Sequence, residues 1–299
     1  MPKGWEWDET LYRGSAAHYV QGRLPYAPTL VEALQERLAL DGSGRLLDVG
    51  CGPGVLTLLL APSMSEAVGV DPDADMLAEA ARRAAEIGVR HVRWVQSRGE
   101  DLPAGLGRFE LATFGQSFHW MDRPQVAATV FGMLAPGGAF VHVADWKEPP
   151  TAIGNLPHPS PPYAAIRSLI QTWLGPVPRA GQGLLRHGTP GDEDSVLAAA
   201  GFIGPERLRL PGGRPWLRRE DDVVAWVWSL AGSAPHLFGE RLAVFEAELR
   251  SILHRAAPGG MFSEWLPDTD VRVWRIPASS SAPTDSGSSP TDTRLAETP

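Results

Sequence analysis

The sequence predicts a doubly wound α/β sheet with a mainly helical cap added after it. Three observations carry this. Apolar runs of strand length alternate with helical patterns over the first 146 residues. The run Arg45 to Val49 ends in the turn Gly50-Cys51-Gly52-Pro53-Gly54, and Val55 to Leu60 then suits a helix. The next run, Glu66 to Val70, carries Asp71 at its tip.

The glycine turn comes first because it reads as a ligand floor. Glycines let the chain turn sharply and let a ligand approach with no Cβ in the way. In open α/β sheets, ligands bind outside the carboxyl ends of strands. Asp71 lies about 20 residues beyond the turn, where an acid meets a ribose hydroxyl pair. An aspartate there also suits a helix N-cap, and either Asp71 or Asp73 could cap the helix through Met76, Ala80 and Ala84.

A dinucleotide fingerprint places its third glycine where this chain has Val55, and no P-loop Gly-Lys-Ser/Thr is present. Leu47-Asp48-Val49-Gly50-Cys51-Gly52-Pro53-Gly54 instead closely resembles motif I of class I S-adenosylmethionine (SAM) methyltransferases. The resemblance implies a Rossmann-like seven-stranded sheet with an antiparallel last strand, SAM as cofactor, and Asp48, Gly50, Cys51, Gly52, Asp71, Pro72 and Met76 around it.

The N-terminal 26 residues hold Trp5, Trp7 and three of the four tyrosines. Ala17 to Tyr26 resembles the Y-x-x-x-R-P-x-Y segment of small-molecule methyltransferases, with Leu24 where proline is common. That resemblance makes residues 1–26 a lid and brings Tyr19 and Arg23 to the methionine carboxylate. A guanidinium suits a carboxylate because its fork binds in bidentate fashion. Residues 28–40 read as an amphipathic helix.

Further on, Asp73 to Glu86 is a helix stopped by Gly88, and His91 to Gln96 is a third strand. Ser97 to Pro103 resembles the segment that contacts adenine in this family, implicating Arg98, Gly99 and Glu100. Arginine cannot accept from the adenine amine, so Ser97 or Glu100 substitutes or the guanidinium stacks.

The fourth strand, Phe109 to Phe114, runs into Gly115-Gln116-Ser117-Phe118-His119-Trp120-Met121-Asp122. This is similar to the Q-x-x-H-W signature of a subfamily that includes trans-aconitate-type and secondary-metabolism enzymes. It implies Gln116 and Ser117 at the cofactor, Trp120 at the substrate, and His119 near the transferred methyl group. Histidine suits proton transfer near neutral pH, with Tyr12 the second candidate base; orientation alone is the other role open to His119. A helix from Asp122 to Leu134, the turn Ala135 to Gly138 and a fifth strand, Ala139 to Ala144, close residues 27–146 as the SAM-binding core.

Residues 147–162 contain six prolines, and the strand–helix rhythm stops. Residues 147–233 read as a variable substrate cap with the sixth-strand region, residues 234–277 as a C-terminal helix and last strand of the core, and 278–299 as a disordered tail. The last strand, Val271 to Ile276, is expected antiparallel at the sheet edge. Seven of the eleven tryptophans lie from Trp146 onward, and Trp146, Trp216, Trp226 and Trp228 could stack on a flat substrate or fill the core.

Composition limits the function classes. The chain has 299 residues, is 43% hydrophobic and 21% charged, and has a net charge of −8, which argues against nucleic acid as main partner. One cysteine, no leader pattern and no long apolar run predict a cytoplasmic protein without a membrane span. Eight scattered histidines lack metal-ligand spacing, so no metal is expected.

The reading is methyl transfer from SAM to an oxygen, nitrogen or electron-rich carbon of a small, aromatic molecule of bacterial secondary metabolism. The alternatives are a trans-aconitate-type carboxylate O-methyltransferase, a SAM-binding protein without turnover, and an NAD-dependent oxidoreductase. Oligomeric state is not legible.

Overall fold

The computed structural model describes residues 8, 10–146, 154–177, 179–180, 183–184 and 191–278. Trp5, Trp7 and the tail expected beyond residue 278 lie outside the described residues.

Seven strands form one sheet: β1 (Arg45–Val49), β2 (Glu66–Asp71), β3 (Val92–Gln96), β4 (Phe109–Gly115), β5 (Leu134–Asp145), β6 (Ile203–Leu210) and, last in the chain, β9 (Thr269–Arg275). Their order is β3-β2-β1-β4-β5-β9-β6. The first five are parallel, and β9 runs antiparallel to both β5 and β6. The seven-stranded doubly wound sheet with an antiparallel last strand is thus present. Its last strand, expected at the edge, lies one place inside it.

The edge strand is β6, and its sequence hides it. Ile203 to Leu210 alternates Leu208 and Leu210 with Arg207 and Arg209. Arg207 donates two hydrogen bonds to Asp270, and Arg209 donates one to Asp268. Charged side chains on an edge strand keep it from pairing with another chain.

The apolar runs are explained by burial on both faces. In β1, Leu46 packs with Leu30 and Leu34 of α2 (Leu30–Leu38) and Leu56 and Leu60 of α3 (Val55–Leu60). Leu47 and Val49 point the other way, toward Val126 and Val130 of α5 (Arg123–Met133). Phe114, Phe140 and Phe118 lock this second face; the first two stack at 4.4 Å between centroids.

The helix predicted after β2 is α4 (Ala74–Glu86), capped by Asp73, which accepts from the N–H groups of Asp75 and Met76. Asp71 is thereby left for other work.

Helices α6 (Tyr163–Leu174), α8 (Glu220–Trp228) and α9 (Leu242–Ala256) share a separate apolar cluster that includes Ile166, Trp228, Phe238 and Phe245, whereas Leu197 of α7 (Glu193–Ala199) joins the sheet core. They make up the helical cap. The helix expected to belong with the core, α9, therefore sits in the cap, because Phe245, Leu249 and Leu253 face that cluster. An antiparallel pair of strands, β7 (Pro215–Arg219) and β8 (Met261–Trp265), which flank α8 and α9 in the chain, adjoins it. The N-terminal helix α1 (Ala16–Gly22) packs on α8 so closely that a Cβ on Gly22 would stand 2.4 Å from the Trp226 nitrogen.

Among the described residues, no helix is long and apolar enough to cross a membrane.

Candidate cofactor and acceptor site

The site lies at the carboxyl ends of β1, β2, β4 and β5, under α1 and α8. Gly50 and Gly52 both take positive φ, 69° and 52°. At Gly50 the constraint is packing: an added Cβ would meet the Ser117 Cβ at 2.5 Å. Ser117 in turn donates to the Val49 carbonyl at 2.6 Å, tying the loop after β4 to the turn after β1. Around Gly52 an added Cβ would meet nothing within 4 Å, so this backbone faces open space. Gly54 has the packing role of a third glycine, since its Cβ would strike the Trp94 ring at 2.6 Å.

Asp71 sits at the tip of β2 and is 8% exposed. One carboxylate oxygen accepts from the Gly52 N–H at 2.8 Å and the other from the Asp73 N–H at 2.9 Å. Each oxygen keeps a lone-pair direction for a further donor. Burial raises its carboxyl to about 6 against the pull of those two hydrogen bonds. Asp48 is also buried and also raised to about 6 by desolvation, but its oxygens accept from Thr57 at 2.5 Å and Thr113 at 2.9 Å. These bonds turn it inward, as a brace between β1, α3 and β4.

Two cavities open side by side and share Tyr19, Gly50, Gly52, Gly115 and Gln116. The first extends along Asp71, Pro72 and Met76 to Arg98, Gly99 and Glu100, with Tyr12, Ser117 and Trp120 also on its wall. The second extends past Arg23, Asp48 and Cys51 to Asp145, and reaches the cap at Trp226. The structure thus brings all of the residues expected at the cofactor to one or other wall.

Individual side chains of the expected set are placed as follows. Arg98 forms an ion pair with Glu100 at 3.5 Å, while Glu100 also accepts from the Asp122 N–H at 2.9 Å. His119 lies on a single helical turn, Phe118–Trp120, its ring 4.3 Å from that of Trp120; it lines neither cavity. Trp146 lines neither one; it lies under the guanidinium groups of Arg207 and Arg209, 4.7 and 4.5 Å from its ring. Trp216 is on β7 and Trp228 in the cap cluster, so of the four later tryptophans only Trp226 faces a cavity. Tyr12 is part-buried on the wall of the first cavity, and desolvation raises its phenol well above the ordinary range.

Arg23 stacks over the Tyr19 ring at 4.9 Å and donates to Ser229 through its Nε and one Nη2 hydrogen. Four residues not anticipated join the second cavity: Asp145, Tyr163, Arg218 and Tyr26. Two of these were within reach of sequence reasoning, Asp145 as an acid at a parallel strand's carboxyl end and Tyr26 as the last tyrosine of the Y-x-x-x-R-P-x-Y segment. Tyr163 and Arg218 are brought there by the cap, whose fold has no periodic signature near them.

These residues fit SAM. The open side of Gly52 accommodates a ligand backbone contact, Asp71 presents free lone pairs beside it, and a cation and aromatic rings stand on the opposite wall. Among the described residues, no group of three or more His, Cys, Asp or Glu side chains is placed to hold a metal.

Comparison with known proteins agrees. Residues 46–138 match the family described as "Methyltransferase domain". An uncharacterized methyltransferase of Synechocystis sp. is 32% identical over 46% of this chain and 61% of its own length. A trans-aconitate 2-methyltransferase of Pseudomonas paraeruginosa is 34% identical over 48% of each chain. The chain thus spans less than two thirds of the length of these relatives. The crystal structure of the [4+2]-cyclase SpnF superposes with a TM-score of 0.50 at 20% identity, covering 86% of this chain and 87% of that one, and so shares the fold. Over residues 46–138, then, the chain is similar to a methyltransferase domain.

Proposed function

We propose that the whole protein is a SAM-dependent methyltransferase acting on a small molecule, with the first cavity for the nucleoside and the second for methionine and acceptor. The observation that carries this is their junction. The two cavities meet over Gly50, Gly52 and Gln116, at the tips of β1 and β4, where donor and acceptor would face each other.

Bound there, the cofactor supplies a methyl group already activated by its sulfonium. The chain's own residues bind, align and exclude water. Asp71 accepts from the ribose diol, and charge-assisted hydrogen bonds are about twice as strong as neutral ones. Arg23 keeps both Nη1 hydrogens for a carboxylate, its Nε and one Nη2 hydrogen being held by Ser229. Arg98, on the nucleoside wall, presents a flat guanidinium for stacking. Tyr19 and α1 roof the junction, while Trp226 and Tyr163 close the acceptor side. Holding two reactants in line in a dry site can contribute about 7–11 kcal/mol toward the barrier.

Of the two roles open to His119, orientation of the loop after β4 suits its place beside Trp120 and off both cavity walls. Small aromatic acceptors of secondary metabolism suit the ring-lined second cavity. Against an NAD-dependent oxidoreductase stands Val55, at the start of α3 where the dinucleotide turn has glycine.

The test is turnover. The protein is incubated with methyl-labelled SAM and a set of small aromatic amines, phenols and carboxylic acids, and products are read by mass spectrometry. One labelled product with equal S-adenosylhomocysteine is expected, and His119→Asn keeps most of the wild-type rate. Bound SAM with no transfer to any acceptor class would leave a binding protein instead. A 10²–10⁴-fold rate loss in His119→Asn would restore the general-base role.

A further inference from the structure

The second cavity indicates which chemical class of acceptor it takes, and this rests on the methyltransferase reading above. Two cations border it, and each is spoken for. Arg218 is 1% exposed. Its Nη1 donates to the Tyr163 hydroxyl at 3.2 Å and Glu264 at 2.9 Å, and its Nη2 to the carbonyls of Gly22 at 2.6 Å and Asp222 at 2.7 Å. All four terminal hydrogens are used on the protein itself, and the charge is balanced by Glu264. Tyr163 donates to the same Glu264 carboxylate at 2.7–2.8 Å. This triad ties α1, α6, α8 and the β7–β8 strand pair together and offers an anion nothing. Arg23, the other cation, faces the methionine end of the cofactor.

The acids are differently placed. Asp48 is turned inward by its two threonines. Asp145 is not. It ends β5, next to the tip of β4 in the sheet, is open to the cavity, and has the Gln116 side chain as a hydrogen-bond partner. Desolvation by the surrounding protein raises its carboxyl, while Gln116 and Arg23 pull it back down. Around it stand the rings of Tyr19, Tyr26, Tyr163 and Trp226. A carboxylate among aromatic faces is the setting that recognises an ammonium group, through its charge and the ring quadrupoles together.

We propose that the acceptor is a basic amine, docked through its ammonium N–H on Asp145, and that the reaction is N-methylation. The ammonium passes one proton to the Asp145 carboxylate, which becomes a carboxylic acid. The freed nitrogen lone pair forms the new N–C bond as the C–S bond of the sulfonium breaks, and that electron pair stays on sulfur as a neutral thioether. The methylated product leaves as an ammonium ion, and Asp145 returns its proton to water. Carboxylate acceptors are excluded by the same geometry, since no guanidinium in the acceptor half is free to receive them.

The experiment compares three matched probes, phenethylamine, 2-phenylethanol and 3-phenylpropionate, by calorimetry on the full chain saturated with S-adenosylhomocysteine. Phenethylamine is expected to bind, 2-phenylethanol weakly, and 3-phenylpropionate not at all. In Asp145→Asn, which keeps the shape and the Gln116 contact, phenethylamine affinity should fall at least tenfold while S-adenosylhomocysteine affinity stays at the wild-type value. Tighter binding of the carboxylate, unchanged amine affinity in the variant, or no amine binding to a protein that binds S-adenosylhomocysteine normally each overturns the proposal. Failure of the wild type to bind S-adenosylhomocysteine would instead strike the cofactor reading beneath it.

Discussion

Asp71 shows how far a single residue could be read. Its spacing from the glycine turn identified it, and the structure adds what spacing cannot: two backbone N–H groups fix the carboxylate, and burial raises it to about 6. The consequence has a definite sign. A carboxyl raised from its ordinary value near 4 holds its proton more tightly in the folded protein than in the unfolded chain. Its contribution to stability is therefore present below about pH 4 and lost as pH rises through about 6. Cofactor binding needs the charged form and runs the other way. S-adenosylhomocysteine affinity should be flat above about pH 7 and fall as pH is lowered through about 6. Titration calorimetry across that range checks this, and Asp71→Asn should remove Asp71's share of the fall. His119 shows the opposite case. Its motif placed it near the methyl group, yet the turn Phe118–Trp120 carries its ring off the cavity walls, because a motif fixes the order of residues and not the direction of a side chain on a one-turn helix.

At the scale of elements, strands buried on both faces were legible from their apolar runs, and so were α3 and α4 from their flanking turn and cap. The edge strand β6 was not, since its arginines mask the alternation and pair with Asp270 of β9 and Asp268 just before it, acids distant in the chain. The fit of α1 on α8 was equally out of reach. It depends on Gly22, within the segment read only as a lid, meeting the backbone of Ala225 and Trp226. A side chain there has no room: its Cβ would lie 2.4–2.5 Å from main-chain atoms that cannot rotate away. Gly22→Val should therefore destabilise the protein by about 1–3 kcal/mol, the range for overpacking, and weaken cofactor binding too, as Tyr19 and Arg23 are carried on or next to α1. Urea unfolding and calorimetry measure the two effects; an unchanged midpoint with unchanged affinity would show that α1 is not held as described.

At the scale of the molecule, the site is a joint product of sheet and cap. The sheet's carboxyl edge contributes Gly50, Gly52, Asp71, Gln116 and Asp145, and the cap contributes Trp226, Tyr163 and Arg218. The N-terminal segment, expected as a separate lid, is bonded into that cap through Arg218 to Gly22 and Arg23 to Ser229. The sheet half was readable because its chemistry sits on short turns with fixed spacing. The cap half was not, because its polar residues converge only after helices far apart in the chain have packed. Everything rests on the claim that this edge binds SAM, and one titration addresses it directly. Calorimetry of the full chain with S-adenosylhomocysteine and with NAD should show a single site for the former and none for the latter. Asp71→Ala should lose about 1.5–3 kcal/mol of S-adenosylhomocysteine affinity, the range for hydrogen bonds to a charged group. Binding of NAD, or equal affinity in the wild type and Asp71→Ala, would contradict the account.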